Sequence, residues 1–391
     1  MARNPSTGDN ISVQDLITLM EKESAKKFKT HKPVRLSEYR KELPKIWYPT
    51  GIPTLDIALG GGLAGGRVSE WFGPPNSGKS TLLYSAIAEC QRRFPDKVNI
   101  LADPENSSTD AIEHMKLLGV DVDKVIIIAP EKGLPMYAED IFERIEFYLR
   151  QPQLQNRVAI IGLDSVGALV SKNEDGADWS KEARVGGISG VLSRFFRVTV
   201  DNGLLQNNGA HMLILNQVRA NIGNMWEPYR TPGGNKLEHV AAQRVEVTRT
   251  LGQDFRNPNY NSNADNSGEA MYIGQKIKFR QVKSKVGGRT GATASVDFYY
   301  DFGLDIVGNA IEVGKQVGVV HVSGAWYTLI DVATGDIILK EQGLRSFKEA
   351  LVKEDNYDKF DYMVSCLIRD IEPLSVTTEW DKIVSSEGEQ E

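Results

Sequence analysis

The spacing of apolar and polar residues changes along the chain, and each spacing predicts one kind of element. Two stretches place apolar residues at helical intervals: "STLLYSAIAECQRRF" and "AEDIFERIEFYLR". Short runs that are apolar almost throughout predict buried strands: "RVSEWF", "KVNILAD", "KVIIIAP", "RVAIIGLD" and "HMLILNQ". Apolar strands that alternate with such helices predict an α/β core, in which helices cover a mostly parallel central sheet on both faces.

The second half of the chain has a different pattern. Between residues 244 and 302, apolar and polar positions alternate in "RVEVTRT", "QKIKFRQVKSK" and "ASVDFYYDF". This alternation predicts strands that extend the sheet in antiparallel fashion. Residues 252–270 separate the first two of these strands and are rich in Asn, Asp, Gly and Ser, so we expect a mobile loop there.

The changes in pattern divide the chain into four predicted regions. Near the N-terminus, "SVQDLITLMEKESAKKF" predicts a helix with Ser12 at the N-cap position. The "EWDKIVSSEGEQE" stretch at the other end is acidic and predicts a disordered tail. The four regions are a helical oligomerisation arm at 1–48, a core at 49–304, a small α+β domain at 305–375 and the acidic tail at 376–391.

Composition and charge narrow the class of protein. The chain has 391 residues, 41% of them hydrophobic and 25% charged, which is ordinary for a soluble globular protein. We expect a cytoplasmic protein without a membrane segment, because no apolar run approaches a membrane span and the N-terminus lacks the apolar stretch of a signal peptide. Cys90 and Cys366 lie far apart in apolar stretches, which favours free thiols over a disulfide or metal site. The net charge of −6 argues against a general nucleic-acid coat but allows a locally basic groove.

One motif points to phosphate chemistry. "GPPNSGKST" fits the template Gly-x-x-x-x-Gly-Lys-[Ser/Thr], and it lies between a predicted strand and a predicted helix. Backbone N–H groups of such a loop form an anion site at the start of the helix. Lys79 should reach the β- and γ-phosphates of a nucleotide, and Ser80 should bind Mg²⁺. The predicted nucleotide-binding loop consists of Gly73, Pro74, Pro75, Asn76, Ser77, Gly78, Lys79, Ser80 and Thr81.

Polar residues end three other predicted strands. Asp164 follows "VAIIGL", where a carboxylate would support the metal. Hydrolysis also needs a group that orients or deprotonates water, and Glu105 is the candidate, with Asp103 as its rival. Asn216 and Gln217 end "LILNQ" and are expected in the same crevice. The following segment, "VRANIGNMWEPYRTPGGNK", combines basic, aromatic and glycine residues, a mixture found on phosphodiester backbones and unstacked bases.

Taken in order, these motifs resemble the RecA-type homologous recombinases. The resemblance covers residues 45–375 and rests on "GIPTLDIALGGGLAGGRVSEWFGPPNSGKST", "DPEN", "LLGVDVDKV", "IIGLDSVGAL", "LNQVRANIG", "TPGGNKL", "VKSK" and "SGAWY". It implies a RecA-like P-loop core that uses ATP and Mg²⁺ as a DNA-dependent ATPase. It also implies a homo-oligomeric helical filament on single-stranded DNA that pairs with duplex DNA and exchanges strands in recombination and repair. Single-strand-binding and loader proteins are further expected partners.

The resemblance also assigns roles around the nucleotide. Glu105 takes the place of the water-activating glutamate, and Gln217 that of the glutamine which reads the γ-phosphate and couples it to the next loop. Lys283 and Lys285 match a lysine pair that caps ATP from the neighbouring subunit. Three further positions match the base side of the site: Tyr300 near the nucleotide, Asp110 at the adenine amino group, and His114 where an aromatic residue commonly stacks on adenine.

Two DNA loops follow from the same resemblance, at residues 171–186 and 218–235. The implied DNA-binding residues are Arg184, Gly186, Arg197, Arg219, Asn221, Ile222, Trp226, Gly233, Gly234 and Asn235. The first loop also carries three acidic residues that disfavour phosphate, Glu174, Asp175 and Asp178. The chain is about two residues longer than the usual pattern between Glu105 and Gly119, and 252–270 resembles an insertion. These departures indicate a divergent member, such as one from a phage.

Two other functions use the same motifs. A hexameric helicase or clock-type ATPase shares the fold, but ring helicases of this fold generally supply an arginine finger in place of the lysine pair. A DNA-binding mediator could bind ATP with little turnover, which the presence of both Glu105 and Gln217 disfavours. The oligomer's shape and its DNA-stimulated hydrolysis distinguish the three.

Overall fold

The computed structural model describes residues 12–28, 46–131, 134–174, 187–220, 229–252, 255–257, 271–368 and 371–387. The chain divides into two compact units, residues 1–45 and 46–391. In the first unit, helix α1 spans Val13–Lys27. The hydroxyl of Ser12 accepts a hydrogen bond from the backbone N–H of Asp15 at 3.1 Å, so the predicted N-cap is confirmed.

The helices and strands of the second unit follow the predicted order. Its helices are α2 (Pro53–Leu59), α3 (Lys79–Arg93), α4 (Ile112–Leu117), α5 (Ala138–Arg150), α6 (Gly187–Phe196), α7 (Leu204–Asn208), α8 (Gly234–Val240), α9 (Ile306–Val317), α10 (Leu344–Leu351), α11 (Asn356–Ile368) and α12 (Trp380–Glu387). Its strands are β1 (Trp47–Tyr48), β2 (Leu63–Ala64), β3 (Val68–Gly73), β4 (Val98–Ala102), β5 (Val125–Ile128), β6 (Val158–Leu163), β7 (His211–Gln217), β8 (Arg219–Ala220), β9 (Tyr229–Arg230), β10 (Gln243–Thr250), β11 (Gly274–Ser284), β12 (Thr293–Tyr299), β13 (Gly303–Leu304), β14 (Val320–Ser323), β15 (Trp326–Ile330) and β16 (Ile337–Gln342).

Within the described residues, nine strands form one sheet with the order β13-β12-β11-β10-β3-β7-β6-β4-β5. From β10 to β5 every neighbouring pair is parallel. From β10 to β13 every pair is antiparallel. The predicted α/β fold is therefore confirmed. The antiparallel extension begins one strand later than predicted, because β10 joins β3 in parallel and only β11, β12 and β13 are added in antiparallel fashion.

The apolar strands are fully buried because both faces of the sheet are covered. In β7, Leu213 and Leu215 belong to the core that includes α3, whereas Met212 and Ile214 belong to the core that includes α5 and α6. Each fully buried side chain of this kind contributes roughly 1.5–3 kcal/mol relative to an exposed one. A strand that supplies two cores must be apolar at consecutive positions, which explains the run "HMLIL".

A third core lies beyond residue 305. The antiparallel strands β14–β15–β16 and the helices α9, α10 and α11 enclose Ile311, Leu329, Phe347 and Phe360. This small α+β region has the predicted composition of elements. Across the described residues, helices are too short or too polar to cross a membrane.

The prediction of a disordered acidic tail is wrong for residues 380–387, which form α12. Ile383 is 2% exposed, and the Trp380 ring lies 6.3 Å from that of Tyr362 in an edge-on contact. Lys359 lies over the Trp380 ring at 5.7 Å. The prediction followed the acidic composition and overlooked Trp380 and Ile383. These two apolar residues lie three positions apart, on the face of the helix that packs against the third core.

The prediction of a mobile loop is likewise wrong for part of 252–270. Phe255 is 2% exposed and its ring lies 5.6 Å from that of Tyr299. Arg256 pairs with Tyr272 in an isolated antiparallel bridge. One buried aromatic residue therefore fixes this end of the segment, although its surroundings are polar. Residues 253–254 and 258–270 lie outside the described residues.

Candidate functional site

The candidate site lies at the carboxyl ends of parallel strands in the large sheet. Strands β3, β7, β6 and β4 are successive neighbours, and their carboxyl ends meet at one edge. Ligands of parallel α/β sheets bind in the crevice outside this edge. The polar residues that follow the four strands therefore come together although they are far apart in sequence.

The loop between β3 and α3 is held close to the sheet by backbone packing. Gly78 has φ 97°, and a Cβ atom there would lie 2.5 Å from Cδ1 of Ile277. A Cβ atom at Gly73 would lie 1.9 Å from the carbonyl oxygen of Val247. Only glycine fits either position, so the two ends of the motif are fixed by β10 and β11. Gly78 caps α3 without a side chain, which leaves the N–H groups of the first helical turn to an anion.

Lys79 is enclosed by this loop. Its side chain is 8% exposed, and its Nζ donates to the carbonyl oxygens of Pro74 at 2.8 Å and Gly73 at 3.2 Å. Burial lowers the pKa of the Lys79 ammonium group, while the nearby carboxylates of Asp164 and Glu105 oppose that shift. The loop thus holds a buried cation beside the free N–H groups at the start of α3, where a phosphate could bind.

Ser80 and Asp164 form a second pair beside Lys79. The Ser80 hydroxyl donates to Oδ2 of Asp164 at 2.5 Å. Burial raises the pKa of Asp164 to about 6, and the neighbouring carboxylates of Glu105 and Asp103 add to the shift. A bound cation would reverse the effect, because it favours the ionised carboxylate.

A hydroxyl and a carboxylate fit the coordination of Mg²⁺, which keeps several waters and is completed by substrate phosphates. The part of the chain that the structure describes contains no cluster of three or more His, Cys, Asp or Glu side chains that could hold a metal ion. By their own chemistry, Ser80 and Asp164 would hold Mg²⁺ together with phosphate oxygens and water. The ion would supply charge neutralisation at the phosphates.

The structure separates the two candidate general bases. Asp103 is fully buried, and its carboxylate accepts the backbone N–H of Ser108 at 2.6 Å. Glu105 is exposed, and its Oε1 accepts the hydroxyl hydrogen bond of Ser165 at 2.8 Å. Asp103 therefore shapes the loop after β4, whereas Glu105 has a carboxylate that is both oriented and accessible. This geometry favours Glu105.

A cavity of about 360 Å³ adjoins the loop. Besides Asn76–Thr81 of the motif, it is lined by Arg249, Gln275 and Tyr300. Tyr300 is 43% exposed, which leaves its ring available to a ligand. A larger cavity of about 1000 Å³ lies against β10, β11 and β12, away from the phosphate loop. The chemistry of the lining residues makes the smaller cavity the candidate nucleotide site.

Arg249 and Gln275 were missed by the sequence analysis. Nη1 of Arg249 donates to Oε1 of Gln275 at 3.3 Å. Arg249 has the same parity in β10 as the buried residues Val245 and Val247. The sequence signal was a charged residue, Arg249, at the next position of the alternating series that begins with Val245 and Val247.

The base-side predictions for His114 and Asp110 remain predictions. Nε2 of His114 lies 3.1 Å from the hydroxyl oxygen of Thr81, and its ring is edge-on to that of Phe298 at 5.6 Å. Burial lowers the pKa of the imidazole, which favours its neutral form. Asp110 is exposed. As far as the structure is described, neither residue lines the 360 Å³ cavity.

The end of β7 corrects one expectation. Gln217 is exposed at the end of the strand, as expected, but Asn216 is fully buried and does not enter the crevice. Nδ2 of Asn216 donates to Oε1 of Glu70 at 2.9 Å and to the carbonyl oxygen of Pro232 at 2.8 Å. Adjacent strand residues face opposite sides of a sheet, so only one of the two amides could reach the crevice.

Glu70 is a buried charge that the sequence analysis did not explain. It is 0% exposed, and its Oε2 accepts from Nε of Arg244 at 2.6 Å. Nη1 of Arg244 also donates to Oε1 of Glu238 at 2.6 Å, and its guanidinium lies over the Phe72 ring at 4.9 Å. A buried carboxylate needs such partners, because desolvation of a lone charge is costly. The sequence signal for this residue was an acidic side chain within the otherwise apolar predicted strand "RVSEWF".

The lysine pair lies at the carboxyl end of α8. Nζ of Lys283 donates to the carbonyl oxygens of Glu238 and His239, the second at 3.4 Å. Nζ of Lys285 donates to that of His239 at 2.6 Å. Both ammonium groups therefore lie at the carboxyl end of α8. Partial burial lowers the pKa of Lys283, and Lys285 and Arg244 lower it further.

The expected DNA-binding residues are described only in part. Arg197 is exposed and begins a short π-helical segment, Arg197–Asp201, that continues α6. Gly233 has φ 104° and, with Gly234 and Asn235, starts α8. The backbone of Arg219 belongs to β8, which pairs with β9 and closes the base of the second loop. Arg184, Gly186, Asn221, Ile222, Trp226, Asp175 and Asp178 lie outside the described residues.

Comparison with known proteins agrees with this arrangement. The family model described as the RecA N-terminal domain matches residues 16–305. A protein named RecA from Oceanobacillus iheyensis is 32% identical over 294 residues, which cover 73% of this chain and 75% of that protein. Those from Gloeobacter violaceus and Aquifex pyrophilus are 32% and 34% identical, over 72% of this chain and 68% and 72% of their own lengths. The chain belongs to the RecA family.

Proposed function

We propose that this protein is a DNA-dependent ATPase that forms helical filaments on single-stranded DNA and catalyses homologous pairing and strand exchange. One observation carries the proposal. Lys79, the Ser80–Asp164 pair and Glu105 converge at the carboxyl ends of parallel strands of one sheet, and the exposed Gln217 directly precedes the expected second DNA loop. Family membership supports it.

Each residue has a distinct part in the proposed hydrolysis. Lys79 and the N–H groups of the first turn of α3 would bind the phosphates, and Ser80 and Asp164 would hold Mg²⁺. Glu105, oriented by Ser165, would accept a proton from the attacking water. Gln217 is a neutral amide, so it would donate to a γ-phosphate without adding negative charge. Lys283 and Lys285 would cap the ATP of the neighbouring subunit.

The proposed DNA contacts come from the two loops and from the exposed Arg197. Binding of single strands should depend strongly on salt despite the overall negative charge. Each phosphate contact releases counterions, with a slope of roughly −0.7 per contact in a plot of log affinity against log salt. The measured slope therefore gives the number of phosphate contacts, which we expect Arg197 and the two loops to supply.

A two-part experiment tests the proposal. Steady-state ATP hydrolysis is measured with and without single-stranded DNA, and the products are imaged by negative-stain electron microscopy. The proposal predicts DNA-stimulated hydrolysis and helical filaments. Rings with DNA-stimulated hydrolysis would support a helicase or clock-type ATPase, and DNA binding without turnover would support a mediator. Either result would overturn the recombinase proposal.

A further inference from the structure

We propose that Glu70 and Arg244 are positioning residues, which connect the base of the second DNA loop to the lysine pair. This inference rests on the proposed function, because it assigns a route by which DNA binding controls the groups that act on a neighbouring nucleotide. It is carried by a continuous series of polar contacts that runs beneath the site. Neither residue is among the groups expected to touch ATP, Mg²⁺ or DNA.

The first half of the series joins the loop to Glu70. The second DNA loop ends at residue 235, and Thr231 and Pro232 lie in its base, just before α8. The Pro232 carbonyl oxygen accepts from Nδ2 of Asn216, and the same nitrogen donates to Oε1 of Glu70. Because Asn216 and Glu70 are both fully buried, neither can exchange this contact for water without a shift of the backbone.

The second half joins Glu70 to the lysines. The other carboxylate oxygen of Glu70 binds Arg244, which donates in turn to the side chain of Glu238. Glu238 lies near the end of α8, and its backbone carbonyl oxygen accepts from Lys283. Arg244 also lies opposite both Glu70 and Lys283 in its two neighbouring strands. One guanidinium therefore contacts the anchor of the loop and the helix end that holds the lysines.

The two halves share one buried carboxylate, and this makes them dependent on each other. Nη2 of Arg244 also reaches the Thr231 hydroxyl at 3.4 Å, a second direct contact with the base of the loop. To reach a phosphate on a neighbouring subunit, Lys283 and Lys285 must leave the carbonyl oxygens at the end of α8. A movement of Pro232 and Thr231 when the loop binds DNA would shift Arg244, Glu238 and the end of α8 together.

The test measures DNA stimulation, the ratio of ATP turnover with poly-dT to turnover without it, in the full chain. Glu70→Gln keeps the shape but places an amide against Arg244. We expect stimulation to fall at least fivefold, with the KM for ATP changed less than twofold. The matched control is Glu246→Gln, which breaks the 2.6 Å pair with Arg280 between β10 and β11 without touching the series. The control should keep wild-type stimulation.

A second variant covers the case in which Glu70→Gln leaves Arg244 unpaired and unfolds the protein. Glu70→Gln/Arg244→Gln replaces the ion pair with two amides and removes the buried charge. It should fold, as judged by circular dichroism, and should also lose stimulation. Full stimulation in either folded variant would overturn this inference but would leave the proposed function intact. A wild-type protein without DNA stimulation would overturn the proposed function and, with it, this inference.

Discussion

Lys79 and the lysine pair at 283 and 285 all donate to backbone carbonyl oxygens, but the fold holds the single lysine and the pair differently. Lys79 is almost fully buried and is bound by carbonyl oxygens of the loop that precedes it. Lys283 and Lys285 are more exposed and bind the end of a helix distant in sequence. Lys79 already lies where its proposed phosphate would bind. To take its proposed role, the pair would have to release its carbonyl oxygens.

The difference shows which part of the proposed chemistry one subunit can complete by itself. Lys79, Ser80, Asp164 and Glu105 are positioned by strands of one sheet, so we expect nucleotide binding to require no partner. The lysine pair is held by contacts that a neighbouring subunit and DNA would have to replace. We therefore predict that changes in the first group abolish hydrolysis altogether, whereas changes in the pair abolish the turnover that DNA and a neighbouring subunit stimulate.

The largest effect is expected from Glu105→Gln. The amide keeps the size of the side chain but loses the base, so hydrolysis should fall by roughly 10²–10⁴. Binding of a fluorescent ATP analogue should remain, and complexes with single strands should last longer. The control is Asp103→Asn, which should disturb the Ser108 contact and lower stability. Normal hydrolysis in Glu105→Gln would exclude this glutamate as the base.

Lys79→Ala should come next. It removes the enclosed cation from the phosphate loop, and the loss of such a preorganised charge typically costs on the order of 10²–10³ in rate. Both basal and DNA-stimulated hydrolysis should fall, because the group acts within its own subunit. Stimulated turnover near the wild-type rate would show that the loop is not the working site.

The double variant Lys283→Ala/Lys285→Ala should have a narrower effect. The subunit should fold and bind the ATP analogue, since α8 loses only about 1 kcal/mol from cations at its carboxyl end. DNA-stimulated turnover and ATP-dependent filament growth should be lost together. Lys276→Ala is the matched control, because it removes a cation of the same strand that is paired with Asp297 at 2.7 Å. An equal loss in that control would show that the effect comes from the loss of positive charge in general and not from this lysine pair.

The smallest predicted effect concerns pH. With its pKa raised to about 6, Asp164 takes up a proton as the pH falls through that value. From pH 7.5 to 5.5 the ionised fraction drops about fourfold, so the Mg²⁺ concentration needed for half-maximal nucleotide binding should rise by a similar factor. Asp164→Asn should need more Mg²⁺ at both pH values and should lose this pH dependence. An unchanged Mg²⁺ requirement in the wild-type protein would contradict the role of this carboxylate.

Rising pH should favour Mg²⁺ binding by Asp164 but should reduce this residue's contribution to folding stability. A raised pKa means that the folded chain binds this proton more tightly than the unfolded chain does. The contribution of Asp164 to stability without nucleotide should therefore decrease as the pH rises from about 3.8 to about 6. Urea unfolding of the wild type and Asp164→Asn across this range would measure it.

Sequence patterns were sufficient for the sheet because burial dictates them. Strands β6 and β7 supply cores on both faces, and that requirement leaves a readable run of apolar residues. The phosphate motif was equally readable, since its glycines are required by contacts with Ile277 and Val247. In such cases a local constraint selects the residue type directly.

Other features depended on distant partners and could not be read locally. Asn216 and Gln217 are adjacent amides, and only the buried Glu70 distinguishes their roles. The pattern favoured Glu105 but left Asp103 as a rival, and only the contacts with Ser165 and Ser108 show how differently the two carboxylates are held. The acidic stretch after residue 376 has the composition of a disordered tail, but its Ile383 and Trp380 pack in the third core. Each of these outcomes is decided by tertiary contacts.

The most direct test of the contrast between Lys79 and the lysine pair is a mixing experiment. Lys79→Ala subunits keep the lysine pair, and Lys283→Ala/Lys285→Ala subunits keep the phosphate loop. In a randomly mixed head-to-tail filament, about a quarter of the junctions would combine an intact loop with an intact pair. We predict that DNA-stimulated hydrolysis returns in the mixture although each variant alone is inactive. A mixture that co-assembles on DNA and stays as inactive as its components would contradict the account.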